Sequence, residues 1–166
     1  MKTWLTADTH FGHSNIIRYC SRPFDTVENM DETLIENWNL KVDKEDFVIF
    51  LGDFCFRLDP KIYLDRLNGR IVFIRGNHDN SNSLDTKIFS LVFETESKEY
   101  FCVHRPEDYN QSYAINLVAH VHEKWKFQKV YSTTLVNVGV DVWNYSPVDI
   151  NEILKEVKKW TKQQKV

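Results

Sequence analysis

The sequence predicts an α/β protein, because apolar segments of strand length alternate with amphipathic helical segments in its first half. Runs of β-branched and aromatic residues predict strands at residues 3–7, 46–51 and 70–75. Their alternation with helices is typical of a parallel sheet. The second half carries strand candidates separated by turns, which predicts antiparallel pairing there; the candidates are residues 88–94, 99–104, 113–120 and 133–142.

Helices are predicted where apolar residues recur at helical spacing and capping residues mark the ends. Asp59 followed by Pro60 is typical of a helix N-terminus. Asp149 and Glu152 form the pattern of a capping box before the last apolar face. The predicted helices are therefore residues 15–20, 28–41 and 59–67, with a final helix that begins after Asp149.

The length and composition predict one soluble domain over residues 1–166. A formal net charge of −3 and a pI near 6.1 argue against a general nucleic-acid-binding surface, although they allow a local basic cleft. Three cysteines without paired spacing predict free thiols in a reducing compartment. No apolar run approaches the roughly 18 residues of a membrane span. We therefore expect a cytoplasmic protein with no membrane contact.

Polar side chains follow each of the three first-half strands at the point where the strand ends. The first strand is followed by Asp8 and His10, the second by Asp53, and the third by Asn77 and His78. Ligands of open α/β sheets are held at the carboxyl ends of the strands. Three strands that deliver such residues to one edge are hard to explain by packing alone, so we interpret them as one metal site.

Three further histidines extend this interpretation. His104 ends a predicted strand, and His120 and His122 follow another apolar run. Residues two apart on an extended segment point the same way, which predicts that both imidazoles face one site. A single histidine at a strand end is more often structural, so the prediction depends on the coincidence of all these motifs.

The order of these motifs resembles that of the calcineurin-like metallophosphoesterases. That family shows Asp-x-His, Gly-Asp, Gly-Asn-His-(Asp/Glu), a lone His and Gly-His-x-His along the chain. This sequence carries, in the same order, Asp8-Thr9-His10, Gly52-Asp53, Gly76-Asn77-His78-Asp79, His104 and Ala119-His120-Val121-His122. Ala119 replaces the usual glycine, a small-for-small change. Asp8 to Ile17, together with Arg22-Pro23-Phe24, resembles a subgroup of small stand-alone bacterial and phage phosphoesterases.

The resemblance implies a four-layer sandwich of two mixed β-sheets flanked by helices, with two divalent metal ions at one edge. The first ion would be held by Asp8, His10, Asp53 and His122. The second would be held by Asp53, Asn77, His104 and His120, so that the Asp53 carboxylate bridges both. Carboxylate, imidazole and amide ligands without thiolate suit Mn²⁺, Fe, Zn²⁺ or Ni²⁺. Of these ions, we expect Mn²⁺ to be the bound metal.

The resemblance also implies the chemistry. A hydroxide that bridges two ions about 3.5–4 Å apart would attack phosphorus in line. His78 would protonate or stabilise the leaving oxygen, and Asp79 would complete the catalytic set by orienting a neighbouring group.

Substrate-binding candidates are the residues that lie next to these motifs. His13 is as consistent with a surface role as with phosphate contact, and Arg105 could be only a surface charge. Arg57 stands where protein phosphatases of the superfamily carry a phosphate-binding arginine, but Phe56 replaces their second aspartate, which argues against that activity. The candidates are His13, Arg57, Asn77 and Arg105.

The predicted function is a dimetal-dependent phosphodiesterase. A short chain leaves little material for a cap domain, so we expect an open cleft that takes a small phosphodiester, a nucleotide or a nucleic-acid end. Alternatives are a phosphomonoesterase, a nuclease, or a non-catalytic interaction scaffold such as the superfamily member of the retromer coat. The sequence leaves a monomer and a homodimer equally open.

Overall fold

The chain forms two mixed β-sheets with helices around them, as the sequence predicts. A computed structural model describes residues 1–56, 59–79, 84, 86–95 and 98–164. The α-helices are α1 (Ser14–Tyr19), α2 (Val27–Lys41), α3 (Lys61–Leu64) and α4 (Ile150–Gln163). Short 3₁₀ helices occupy Pro106–Asp108 and Val140–Val142. The strands are β1 (Thr3–Thr6), β2 (Phe47–Phe50), β3 (Arg70–Phe73), β4 (Ser90–Thr95), β5 (Lys98–Val103), β6 (Ile115–Val118), β7 (Phe127–Val130), β8 (Thr133–Asn137) and β9 (Val148–Asp149).

The first sheet has the order β3-β2-β1-β9. Its first three strands are parallel, with Thr3 opposite Phe47 and Phe47 opposite Arg70. Strand β9 is antiparallel to β1. The carboxyl ends of β1, β2 and β3 therefore meet at one edge of the sheet, as the strand and helix alternation predicts.

The second sheet has the order β4-β5-β6-β8-β7 and corrects one prediction. Its three central strands, β5, β6 and β8, are parallel, and only β4 and β7 are antiparallel to their neighbours. Antiparallel pairing throughout the second half was therefore wrong. The reason is that β7 takes the edge position, so that β8 returns beside β6 in the same direction.

Several predicted boundaries shift for local reasons. The strand predicted at 133–142 ends at Asn137, because Gly139 leads into the 3₁₀ helix Val140–Val142. The helix predicted at 59–67 is reduced to α3, and its N-cap is Pro60 and not Asp59, although the Asp59 carboxylate accepts the Lys61 N–H at 2.9 Å. Strands β7 and β9 were not predicted: β7 is an exposed edge strand and β9 has only two residues.

Alternation of side chains along the first sheet separates two hydrophobic layers. Leu5 and Ile49 face the second sheet, where they pack with Tyr100 and Leu117 in one buried cluster. Trp4, Val48 and Phe50 point to the opposite face, where the helices α1, α2 and α3 cover them. Period-two burial of this kind fixes the register of each strand and hence the position of every residue that follows it.

Helix α4 closes the sandwich at the side where β9 and β7 are the edge strands. Its residues Ile150, Ile153 and Val157 join the cluster between the sheets, and Trp160 contacts Phe127 of β7 with ring centroids 5.6 Å apart. Asp149 caps the helix by accepting the Asn151 N–H at 2.7 Å. On the outer face of the second sheet, a smaller cluster packs under the 3₁₀ helix Pro106–Asp108 and the loop that carries Trp125.

The three cysteines are buried and form no disulfide, as predicted. No helix among the described residues combines the length and the apolar character needed to cross a membrane.

Candidate metal centre

The ends of β1 and β2 are held side by side beyond the regular ladder. The Asp8 N–H donates to Gly52 O at 3.0 Å, and the His10 N–H donates to Asp53 O at 3.1 Å. Asp8, His10 and Asp53 all have positive φ, at 57°, 50° and 61°. Backbone in this left-handed region is uncommon for residues other than glycine and clusters at functional sites. These turns direct polar side chains toward the sheet edge.

Two glycines allow the strand ends to approach each other closely. A Cβ on Gly76 would lie 2.2 Å from Asp53 Oδ1, and a Cβ on Gly52 would lie 2.5 Å from Gly76 Cα. Gly52 also has φ +98°, which L side chains rarely adopt. The glycines of the Gly52-Asp53 and Gly76-Asn77 motifs therefore serve to bring the Asp53 carboxylate against the third strand end.

The predicted ligands form two groups, in each of which the potential ligand atoms lie within 4.8 Å of one another. One group is Asp8, His10 and His122, and the other is Asp53, His104 and His120. Asp53 Oδ2 connects the groups, since it lies 3.5 Å from His10 Nε2 and 3.4 Å from His104 Nε2. This is the position that a bridging carboxylate requires.

Asn77 completes the second group. Its Oδ1 lies 3.0 Å from His104 Nε2, so the amide oxygen faces the same point as the imidazole and the Asp53 carboxylate. The structure thus brings together all seven residues predicted as metal ligands.

His120 and His122 reach the site by a different route from the predicted one. Strand β6 ends at Val118, and both histidines have positive φ, at 73° and 50°. The prediction of an extended segment was therefore wrong. The left-handed turns send the two imidazoles into separate groups, one with His104 and the other with His10.

The donor set fits divalent metal ions on the evidence of its buried polar atoms. Asp8 Oδ2 accepts the His120 N–H at 2.9 Å, and Asp53 Oδ1 accepts the His78 N–H at 2.8 Å. The other oxygen of each carboxylate and His10 Nε2 are buried and have no hydrogen-bond partner. Buried polar atoms of this kind need an explanation, and a cation between them satisfies all three.

The surroundings of His104 also indicate a cation site. Its Nδ1–H donates to Leu51 O at 2.6 Å, which directs Nε2 toward Asn77 Oδ1 and Asp53 Oδ2. Two acceptor oxygens facing one imidazole nitrogen require a positive charge among them, either a proton or a metal ion. Burial lowers the pKa of His104, but the nearby Asp53 carboxylate and the charge of Asp8 outweigh it and raise the pKa to about 9.

Burial sets the charge states of the first group. It raises the pKa of Asp8 to about 6, against the opposing charges of His104 and His122. Burial also lowers the pKa of His10 well below its ordinary value, despite the charge of Asp53. A neutral imidazole is the form that binds a metal ion, so His10 is available as a ligand near neutral pH.

Arg22 and Asp141 support the first group, and neither was predicted as a site residue. Asp141 Oδ2 accepts the His122 Nδ1–H at 3.0 Å and Arg22 Nη2–H at 2.9 Å, while Arg22 also donates to Asp8 O at 2.6 Å. Burial lowers the pKa of His122, but the hydrogen bonds to Asp141 and Cys20 and the charges of Asp8 and Asp141 together outweigh it and raise the pKa to about 10. Carboxylates that orient metal-binding histidines in this way are common. Arg22 stood in a recognised Arg-Pro-Phe sequence, whereas Asp141 stood in no motif.

Asn137 is a further residue that the sequence did not reveal. Its Nδ2 donates to His122 O at 2.8 Å and to Trp125 O at 2.9 Å, and its Oδ1 accepts the Gly139 N–H at 2.8 Å. It therefore ties the loop that carries His122 to the end of β8.

Asp79 and His78, the predicted catalytic residues, occupy different environments. The Asp79 carboxylate is buried and accepts the backbone N–H groups of Asp53, Phe54 and Gly76 at 2.7, 3.1 and 2.8 Å. This arrangement fits the orienting role predicted for it. His78 is exposed, and its ring centroid lies 5.4 Å from that of His10.

The predicted substrate contacts surround this edge. The His13 ring stacks on Phe56 with centroids 4.0 Å apart and lies 5.6 Å from the His10 ring. Arg105 is exposed and lines a cleft together with Asn77 and His104. Arg57 lies outside the described residues.

Comparison with known proteins identifies the family of this chain. The family model of the calcineurin-like phosphoesterases matches residues 1–163. Uncharacterized protein MJ1445 of Methanocaldococcus jannaschii is 38% identical over 170 residues, which cover 95% of this chain and 92% of that protein.

Solved structures show the same fold. Protein AQ665 of unknown function from Aquifex aeolicus aligns with a TM-score of 0.74 at 24% identity, covering 93% of this chain and 98% of that one. A single mutant of Vps29 from Entamoeba histolytica aligns with a TM-score of 0.51 at 15% identity, covering 82% of this chain and 73% of that one. By the extent of the family match, the chain belongs to the calcineurin-like phosphoesterases and is a metal-dependent phosphoesterase.

Proposed function

We propose that the protein is a dimetal-dependent phosphodiesterase acting on a small phosphodiester, a nucleotide or a nucleic-acid end. The observation that carries the proposal is the position of Asp53 Oδ2, a buried atom without a hydrogen-bond partner, 3.5 Å from His10 Nε2 and 3.4 Å from His104 Nε2. A carboxylate between two sets of potential ligands is the arrangement needed to hold two cations side by side.

The seven ligand residues would hold the ions, and Mn²⁺ is our proposed metal. Two divalent ions bound there would neutralise charge on phosphate oxygens and lower the pKa of a coordinated water. The ligands are Asp8, His10, Asp53, Asn77, His104, His120 and His122.

The remaining chemistry would fall to His78 and its support. In hydrolysis, a bond forms between phosphorus and a water oxygen, the ester P–O bond breaks, and the leaving oxygen takes a proton. His78 is exposed at the site and can deliver that proton. The hydrogen bond from its backbone N–H to Asp53 Oδ1 at 2.8 Å fixes the position of the His78 backbone. The three backbone amides that donate to Asp79 stabilise the turn that carries His78.

We further propose that Asn77, Arg105 and His13 contact the phosphate group, since they flank the ligand groups on two sides. The open cleft favours a diester over a monoester, because the described residues present no dense cluster of cations for a dianion. Three buried cysteines without a disulfide fit a reducing, cytoplasmic setting, which we propose for this single domain.

The test is hydrolysis of bis-p-nitrophenyl phosphate and p-nitrophenyl phosphate by metal-stripped protein titrated with Mn²⁺. We expect Mn²⁺ to restore turnover, with the diester hydrolysed faster. Asp53→Ala should lose both metal binding and turnover, whereas His78→Ala should bind Mn²⁺ normally and lose most of the turnover. Asp65→Asn, an exposed change next to α3, serves as the control.

The same experiment separates the alternatives. Faster hydrolysis of the monoester would replace the phosphodiesterase by a phosphatase. Normal Mn²⁺ binding with no turnover of either compound would contradict the proposed activity and favour a metal-binding interaction scaffold.

A further inference from the structure

A cleft of about 540 Å³ opens beside the second ligand group. Asn77 and His104 of the second ligand group line it, together with Arg75 and Arg105. Clefts of roughly 300–1,000 Å³ accommodate small organic ligands. The cleft is therefore large enough to hold a group attached to a phosphate that is bound at the metal centre.

Phe89 is the unusual residue of this cleft. It is 64% exposed, although a phenyl side chain ordinarily contributes to a core. The ladder between β4 and β5 pairs Ser90 with Val103, so Phe89, the residue before β4, comes next to His104. The backbone supports this position, because the Arg75 N–H donates to Ile88 O at 2.7 Å.

Arg75 and Phe89 contact each other in this cleft. The guanidinium carbon of Arg75 lies 5.7 Å from the Phe89 ring centroid, a cation–π arrangement. Aromatic rings and arginine planes are the surfaces on which nucleobases stack, and stacking accepts every base because every base has a π-face.

We propose that this cleft binds the nucleoside of a nucleotide-based substrate, with the base stacked on Phe89 and the phosphate at the metal centre. The position of the phosphate rests on the proposed function. The exposed ring and the guanidinium would bind a base, whereas a sugar phosphate or an alkyl ester has no π-face to stack on the Phe89 ring.

The charge of the cleft and of the chain favours one nucleotide over a nucleic-acid strand. Strand-binding grooves combine a track of positive charge with a series of aromatic residues. The net charge of the chain is −3, and Asp108 stands in the cleft beside Arg105. A single mononucleotide unit, free or at the end of a chain, matches these features.

The test compares binding of AMP and ribose 5-phosphate to Mn²⁺-loaded protein by isothermal titration calorimetry. The two compounds share ribose and phosphate and differ in the base. We expect AMP to bind roughly fivefold to a hundredfold more tightly, as stacking of one base would give. Chromatography for released adenosine separates binding heat from turnover.

Variants test whether the preference for AMP depends on Phe89. Phe89→Ala should remove most of the AMP preference and leave ribose 5-phosphate binding within about twofold, while Phe89→Trp should retain the preference. Arg105→Gln should weaken both compounds alike, because it acts on the shared phosphate. Tyr131→Ala, a change at a 90% exposed residue outside the cleft, is the matched control and should alter neither.

Equal binding of AMP and ribose 5-phosphate, binding of neither, or an AMP preference that survives Phe89→Ala would overturn the nucleoside site. These outcomes are distinct from failure of the proposed function. A Phe89-dependent AMP preference in a protein that hydrolyses no phosphodiester would leave the nucleoside site in place and remove the activity. Hydrolysis of bis-p-nitrophenyl phosphate without an AMP preference would support the proposed activity and exclude the nucleoside site.

Discussion

Asp141 acts on the site through His122. Its side chain is buried, and it holds the Nδ1–H of His122 while Arg22 binds its two oxygens at 2.8 and 2.9 Å. Arg22 also binds the carbonyl oxygens of Asp8 and Thr9, so one guanidinium joins the first strand end to the His122 support. Burial raises the pKa of Asp141, but the hydrogen bond to His122 and the charge of Arg22 outweigh it and lower the pKa.

Asp141→Asn should weaken binding of Mn²⁺ by about 10- to 100-fold, because the amide no longer fixes the imidazole with Nε2 toward the first group. Calorimetric titration of the metal-stripped protein measures this change. Asp65→Asn, at an exposed carboxylate paired with Lys61 of α3, is the control. Unchanged affinity in a folded Asp141→Asn protein would mean that His122 needs no such support.

Gly76→Ala should disrupt the site through a direct clash. The new Cβ would lie 2.2 Å from Asp53 Oδ1 and 2.4 Å from the Asp53 nitrogen. Overpacking of this kind costs about 1–3 kcal/mol in stability, and here it displaces Asp53, a proposed metal ligand. We therefore expect a lower melting temperature together with loss of Mn²⁺ binding by the folded protein.

Gly69→Ala provides the comparison for that variant. Gly69 has φ +96°, and a Cβ there would lie 2.8 Å from Val42 Cγ1, away from the ligands. It should lower stability by a similar amount and leave Mn²⁺ affinity unchanged. Equal loss of metal binding in both variants would indicate that general destabilisation, and not the Asp53 contact, was responsible.

At the scale of elements, α2 anchors the loop that follows His10. Asp31 of α2 accepts the Gly12 N–H at 3.1 and 3.0 Å and the Tyr63 O–H at 2.9 Å. Burial raises the pKa of Asp31 to about 6, although both hydrogen bonds oppose it. The first strand end is thus attached to the outer helices by a carboxyl group that titrates near neutral pH.

Asp31→Asn should change how stability depends on pH. A carboxyl group whose pKa is raised on folding stabilises the folded state below its ordinary pKa, near 3.8, and loses that contribution as pH rises through about 6. The free energy of unfolding of the wild type should therefore fall relative to Asp31→Asn between pH 4 and pH 7. Urea unfolding of both proteins in the presence of chelator measures this difference in the free energy of unfolding. The site histidines titrate in both proteins, so their contribution cancels in the difference. A difference that stays constant or rises would contradict the prediction.

The sequence revealed the candidate ligands but not the residues that support them. Asp8, His10 and Asp53 could be recognised because each follows an apolar strand within a short motif. Asp141 could not, because it lies 119 residues from Arg22 and no local pattern relates the two. Glycine spacing indicated a turn at Gly76, but only the packed structure shows that the turn touches Asp53.

Among elements, buried strands were predictable and marginal strands were not. Strands β1 and β2 are continuous apolar runs, whereas β7 carries exposed polar residues on an edge and β9 has two residues. The direction of β8 was missed for a related reason, since it depends on where β7 lies in the sheet and not on the residues of β8 itself.

At the scale of the whole molecule, the site depends on two sheets that meet at one edge. The first sheet delivers Asp8, Asp53 and Asn77, and the second delivers His104 and the loop with His120 and His122. The packing between the sheets therefore sets the distance between the two ligand groups. Neither sheet alone contains a complete set for either ion.

The most direct test of this account is the number of Mn²⁺ ions bound per chain, measured by calorimetry and by elemental analysis of the dialysed protein. We predict two ions for the wild type and for Asp65→Asn. Asp53→Asn should weaken both sites, because one carboxylate oxygen lies within reach of both ligand groups. Binding of fewer than two ions by the wild type, or of two ions with unchanged affinity by Asp53→Asn, would contradict a bridged dimetal centre.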